Sequence, residues 1–234
     1  MKRRPFVFTT LSLGLLAMLS GCATTDCTET GVFALRPGDL LFQDLDCGPL
    51  CDAIETVTQG AYGSNFSHMG IVSELDGDSA TIIEAVGEGV VRTPLAEFLA
   101  RSQDDAGRPK VLVGRLSQEY RALIPKALEV AQSFIGVPYD KVYTMDSSEL
   151  YCSEMIYECF RIANGGEAVF ELNPMTFIDP KSGKTFPAWT DYYAALGVPI
   201  PEGEPGLNPG GISRAPNIRI VYHYGRPSGF GSQQ

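Results

Sequence analysis

Histidine is scarce in this chain: His68 and His223 are the only two among 234 residues. Any imidazole base must be one of them. Basic residues are also under-represented, 18 against 28 acidic, for a net charge of −10. That balance argues against nucleic acid as a partner and against a purely electrostatic grip on anionic lipid. Beyond the first 21 residues no stretch is long and apolar enough to span a bilayer. No internal repeat is visible, which excludes solenoids and propellers.

The N-terminus is where apolar residues concentrate. Lys2, Arg3 and Arg4 precede an apolar run from Phe6 to Leu19, and Leu19-Ser20-Gly21-Cys22 closes it. This is an export signal over residues 1–21. Its last four residues resemble a bacterial lipobox, in which cleavage leaves the cysteine, here Cys22, as a lipidated N-terminus; an ordinary cleaved secretory signal is the alternative. Ala23 at the next position resembles lipoproteins forwarded to an outer membrane. The expected location is the cell envelope, on the outer membrane facing the periplasm, anchored by acyl chains. Without residues 1–21 the chain keeps 15 basic and 28 acidic residues, a net −13.

Cys27, Cys47 and Cys51 lie in a compartment that permits disulfides, and one bridge among the three is expected. Zinc at these positions is disfavoured because no histidine is near in sequence. Cys159 lies two helical turns after Cys152 and reads as a small buried hydrophobe.

Residues 22–34 read as a tether, 35–225 as a single domain and 226–234 as a flexible tail. Strands are expected at Leu40–Phe42, 69–74, 81–86, Gly89–Arg92, Lys110–Leu116 and Ile218–Tyr224. Helices are expected at 52–59, after Pro94, from near Ser117 up to Gly136-Val137-Pro138, and from about Ser148 to Ala163. Leu123, Ala127, Val130, Ala131 and Phe134 form a core stripe at helical spacing. Asn173–Pro216, rich in Pro and Gly, reads as surface loop with a short helical piece around Ala188–Leu196. Strands and helices are segregated rather than strictly alternating, so the class is α+β.

Thiol hydrolysis needs a thiolate, a base, a group that orients the base, and donors for an oxyanion. Cys152 falls at the start of a helix, where free N–H groups carry partial positive charge. Its other reading is a packing residue. His68, opening Ser67-His68-Met69-Gly70-Ile71-Val72, is the candidate base; His223 reads as structural. Glu84 is a charge inside the apolar strand Ile82-Ile83-Glu84-Ala85-Val86, and burial there demands a partner. A three-residue loop Leu75-Asp76-Gly77 would set His68 directly across from Glu84. A two-residue turn at Asp76-Gly77 would put them on opposite faces. Tyr139 either presents its hydroxyl to an oxyanion or only packs its loop, and Asp140 is a reserve charged partner. Ser153 and Glu154 cap or position the helix. Trp189, Tyr192 and Tyr193 either line a groove or pack a loop.

Five segments in this order resemble the YiiX/YebB-like branch of the NlpC-type cysteine hydrolases. They are Pro37-Gly38-Asp39-Leu40, Ser67–Val72, Ile83-Glu84-Ala85, Gly136-Val137-Pro138-Tyr139-Asp140 and Tyr151-Cys152-Ser153-Glu154. The order, histidine before cysteine, matches a circularly permuted papain-like fold. The resemblance implies a small antiparallel sheet or half-barrel packed on helices. It also implies Cys152 as nucleophile, His68 as base and Glu84 as orienter. Fold alone does not settle substrate. The expected function is amide hydrolysis of a peptide or peptidoglycan stem peptide by a monomer that needs no cofactor or metal. The alternatives are acyl hydrolysis or transfer on lipid, or an inactive binding lipoprotein.

Overall fold

The computed structural model describes residues 33–231 except 78, 146 and 147. The expected export signal, Cys22 and Cys27 lie outside these residues. Within them the chain is a mixed α+β fold built on a six-stranded antiparallel sheet. The strands are β1 (Leu40–Gln43), β2 (His68–Asp76), β3 (Ser79–Val86), β4 (Gly89–Pro94), β5 (Val111–Leu116) and β8 (Ile218–His223). Their spatial order is β4-β3-β2-β1-β5-β8. A two-stranded ladder pairs β6 (Asn173–Pro174) with β7 (Pro205–Gly206).

Strand alternation sorts the apolar residues onto two faces. Leu40, Phe42, Met69, Ile71, Ile83 and Leu112 join one core. Leu41, Val72, Ile82, Val111 and Val113 join the other. The first face is covered by α3 (Ile124–Ser133) and α4 (Cys152–Ala163), whose buried residues belong to the same cluster. The second carries Phe98 from α2 (Leu95–Ala100). The central β1 is buried on both faces, which is why it reads as an unbroken apolar run.

The β2–β3 hairpin departs from the expected one. Asp76 pairs with Ser79, so two residues rather than Leu75-Asp76-Gly77 make the turn, and Glu74 pairs with Thr81. On its own that turn would put His68 and Glu84 on opposite faces. A bulge between Val72 and Glu74 inserts one extra residue, Ser73, and shifts the register to Ile71–Ile83. The shift restores parity: Glu84 falls beside Gly70, and His68, two residues further, shares its face. His68 therefore reaches Glu84 diagonally, not directly across. A Cβ on Gly70 would lie 3.2 Å from the Glu84 Cβ, so the glycine keeps that diagonal open.

Two helices begin later than expected. A 3-10 turn, Gln118–Leu123, precedes α3 because Pro125 sits in the first α-helical turn, where a missing N–H is tolerated. α4 begins at Cys152, not near Ser148. Leu150 is held by the Pro138 carbonyl at 3.0 Å, and Tyr151 is extended. The remaining helices are α1 (Pro49–Val57), α5 (Pro187–Leu196) and α6 (Pro209–Ser213). A disulfide joins Cys47 to Cys51 where α1 begins. Among the described residues no helix is long and apolar enough to cross a membrane.

The fold extends past both expected limits. Phe33 stacks on Tyr222 with ring centroids 4.1 Å apart. Where a flexible tail is expected from residue 226, the backbone is tied down. Ser228 donates to Asp44 at 2.6 Å, Asn65 donates to the Ser228 carbonyl at 2.8 Å, and Gly231 donates to the Tyr62 carbonyl at 2.8 Å.

The β3–β4 turn also supports the loop 136–140. Val90 donates to the Val137 carbonyl at 2.9 Å, and Gly136 donates to the Val90 carbonyl at 2.9 Å. A Cβ on Gly89 would lie 2.3 Å from the Val137 oxygen, so only glycine permits this approach. Gly89→Ala should destabilise the fold by about 1–3 kcal/mol, read as a lower urea midpoint without a change in slope.

Candidate active site

Glu84 is fully buried, and its two oxygens are saturated. Arg101, just past α2, holds it with two parallel bonds, 2.7 Å to Oε2 and 2.6 Å to Oε1. Thr93 on β4 donates its hydroxyl to Oε1, and His68 Nε2 lies 2.5 Å from Oε2. Burial alone would raise the carboxyl's pKa. The bonds from His68, Arg101 and Thr93 outweigh it and hold the group down at about 2. Glu84 is thus a fixed carboxylate.

With Nε2 on the carboxylate, Nδ1 is the ring nitrogen left for the Cys152 thiol, whose sulfur is close enough to act on the imidazole electrostatically. Burial of the ring opposes its charged form. The Cys152 sulfur and the Glu84 carboxylate overcome that and raise the imidazole to about 9. The ring also lies 5.8 Å from Phe98, whose carbonyl accepts from Gln43 at 2.7 Å. Gln43 is the strand partner of His68, so one register places both.

Cys152 is the first residue of α4 and only 5 % exposed, yet it lines a cleft of about 880 Å³. The helix start is capped by Glu154, which accepts the Tyr151 N–H at 3.3 Å. Ser153 ties the same turn to the Leu207 carbonyl at 3.0 Å. Both residues position the helix. Cys159, two turns on, is fully buried, and burial followed by the Glu158 charge pushes its thiol far up, so it stays protonated.

Tyr139, Tyr143 and Tyr151 line the cleft with Cys152. Burial, then the neighbouring sulfur, raises the Tyr139 hydroxyl well above its ordinary value, so it remains a donor. Asp140 does not join the cluster as a reserve partner. Its oxygens accept the N–H groups of Val142 at 2.6 Å and Thr144 at 2.7 Å, which makes it the organiser of its own loop. His223 packs between Tyr222 and Phe230 on β8. Trp189, Tyr192 and Tyr193 stand on α5, which forms where the short helical piece around Ala188–Leu196 is expected; Trp189 lines the cleft and Tyr193 is buried beside it.

Residues 34–222 match the family described as permuted papain-like amidase enzymes, YaeF/YiiX, C92. The chain belongs to this family of papain-like cysteine amidases. It is 27 % identical over 191 residues to the YiiX protein of Escherichia coli K12, across 81 % of this chain and 88 % of that one. The crystal structure of YiiX from Escherichia coli O157:H7, described as a metalloprotein, superposes with a TM-score of 0.64 at 26 % identity. That match covers 81 % of this chain and 98 % of the other. Among the described residues here, no three His, Cys, Asp or Glu side chains gather as metal ligands.

The order His68, Glu84, Cys152 along the chain is the permuted one, and the fold brings all three together. Sequence reasoning missed Thr93, Arg101, Gln43 and Tyr143. The only available signal was indirect: a carboxylate buried in an apolar strand must find a cation, but nothing marks Arg101 as that cation.

The pair sets a window of stability. Glu84, lowered from 4.5 to about 2, stabilises the fold above pH 4.5 and loses that contribution as pH falls through about 2. His68, raised from 6.5 to about 9, contributes fully below pH 6.5 and loses it as pH rises through about 9. Glu84→Gln should cost about 3–5 kcal/mol. The deficit should be largest between pH 4.5 and 6.5 and smaller on either side, measured by urea unfolding across that range.

Proposed function

We propose that this protein is an envelope amidase that works through a thioester on Cys152. The observation that carries the reading is one imidazole shared between a cleft-lining thiol and a carboxylate that Arg101 and Thr93 hold ionised. His68 takes the thiol proton, and the Cys152 sulfur attacks the amide carbonyl carbon. The tetrahedral oxyanion is met by the Cys152 N–H and the Tyr139 hydroxyl. The C–N bond then breaks, His68 gives its proton to the leaving amine, and the acyl group stays on sulfur. Water, deprotonated by His68, attacks the thioester and releases the acid. Glu84 keeps the ring oriented throughout and does not itself take the proton, because Arg101 neutralises it.

A peptide amide, including the stem peptide of a cell wall, is the first substrate class. A second is favoured by the cleft itself. Its walls include Ile54, Val169, Phe170, Phe177, Trp189 and Leu207, and only Glu171 and Arg214 among its lining residues carry formal charge. An acyl chain suits such walls better than a charged peptide does. Lipid on Cys22 would hold either activity at the outer membrane, facing the periplasm. Cys22→Ser should move the protein from the membrane to the soluble fraction.

Cys152→Ala should abolish hydrolysis and labelling by thiol-directed acyl probes, while undiminished turnover would overturn the assignment. Mass spectrometry of Cys152 adducts after exposure to cell-wall fragments and to phospholipid separates the two substrate classes. The imidazolium that must protonate the leaving amine is lost as pH rises through about 9, so kcat/KM should fall above that pH.

A further inference from the structure

Carboxylates are plentiful in a chain with 28 acidic residues. Arg101, Arg108, Arg115 and Arg161 each take one. Arg214, which lines the cleft, takes none. Among the described residues its side chain makes no ion pair or hydrogen bond, and neither does that of Glu171 on the same cleft. Two opposite charges thus share one cleft without meeting each other.

The backbone that carries Arg214 is fixed, although its guanidinium is exposed and unengaged. Asn208 caps α6 by accepting the Gly211 N–H at 2.8 Å. Ser213, buried, donates to the Gly210 carbonyl at 2.7 Å and accepts the Ala61 N–H at 2.9 Å. A Cβ on Gly210 would lie 2.6 Å from the Thr58 carbonyl oxygen, so α6 sits close against the end of α1. Asn217 donates to the Val169 carbonyl at 2.7 Å, which ties the segment of Arg214 to that of Glu171. Ser153, next to the nucleophile, holds the Leu207 carbonyl just ahead of α6. A cation on so rigid a base is organised for a ligand in advance, and less is lost in binding one.

The cleft walls draw on two apolar clusters. Phe177 and Trp189 belong to one. Phe170, Leu207 and Ile212 belong with Cys152 to the other, and both charges stand on segments of this second group. Mostly apolar walls with a few placed polar groups bind a ligand whose body is apolar and whose orientation the polar groups set.

We propose that Arg214 is a specificity-determining residue that pairs with a free carboxylate on the substrate. The proposal rests on the thioester reading above and narrows its substrate class to amides whose amine side is an amino acid. Such an amide carries a carboxylate by its own chemistry, a few bonds from the scissile nitrogen. The planar guanidinium matches both oxygens of that group, and apolar walls strengthen the pair by excluding water. The acyl body lies against the aromatic wall. Glu171 repels a second negative charge, so the site is set for one carboxylate and not for a dianionic phosphate.

Competition for the cleft tests this without the natural substrate. In the full-length protein, acylation of Cys152 by p-nitrophenyl acetate is followed while N-dodecanoylglycine, N-dodecanoylglycinamide or dodecyl phosphate competes, each below its micelle concentration. N-dodecanoylglycine should inhibit about 10-fold or more tightly than its neutral carboxamide, and high salt should narrow that preference. Arg214→Gln should bring the two inhibition constants within about twofold of each other, and Arg214→Lys should keep part of the difference. A purely structural role would weaken both inhibitors alike and leave their ratio unchanged, which overturns the proposal. So would no inhibition by N-dodecanoylglycine, no preference for it in the wild type, or tighter binding of dodecyl phosphate, which would assign Arg214 to a phosphate head. Absence of Cys152-dependent acylation in the wild type would instead remove the thioester reading, and this proposal with it.

Discussion

A carboxylate with no access to water is the constraint around which this molecule is arranged. Glu84 sits in a strand whose neighbours Ile82, Ile83 and Ala85 are fully buried. An ion in that setting is tolerated only when every lone pair is engaged and its charge is met. The guanidinium of Arg101 supplies the charge and two of the bonds, Thr93 a third, and His68 the fourth contact. Saturating the carboxylate in this way also fixes the imidazole in orientation and tautomer. The same bonds that make the burial tolerable aim the remaining ring nitrogen at the thiol.

Backbone arithmetic is what allows that arrangement. The two-residue turn between β2 and β3 and the extra residue at Ser73 each shift side-chain parity by one, and together they cancel. A turn without the bulge would put His68 and Glu84 on opposite sides of the sheet. Gly70 contributes by leaving the diagonal between the imidazole and Glu84 free of a side chain. The bulge is therefore a functional element of the hairpin, not an irregularity in it.

The cleft is assembled from pieces distant in the chain: the α4 start, the loop after Gly136, the aromatic side of α5 and the segment before α6. Gly89 lets the β3–β4 turn approach Val137 and so brings Tyr139 near the sulfur. α5 holds the loop that carries Tyr143, through bonds from Tyr192 and Tyr193 to the Lys141 and Val142 carbonyls. Aromatic rings dominate these contacts, meeting edge to face as their quadrupoles prefer, as between Trp189 and Tyr143, Phe177 and Tyr192. The wall is consequently rigid, apolar and equipped with hydroxyls at chosen points.

From residue order alone came the strands, since period-two alternation and apolar runs reflect which side of a sheet each residue faces. The candidate thiol, imidazole and carboxylate were legible too, because scarce histidine and a charge inside an apolar strand stand out locally. Parity could be read only conditionally, since a bulge leaves no signature in composition. Arg101, Thr93, Gln43 and Tyr143 could not be read at all: each becomes meaningful through a partner brought near by folding. The start of α4 and the docking of residues 226–231 were likewise decided in three dimensions, by hydrogen bonds to the Pro138 carbonyl and to Asp44. Local patterning determines which elements form; long-range contacts determine which of their side chains meet.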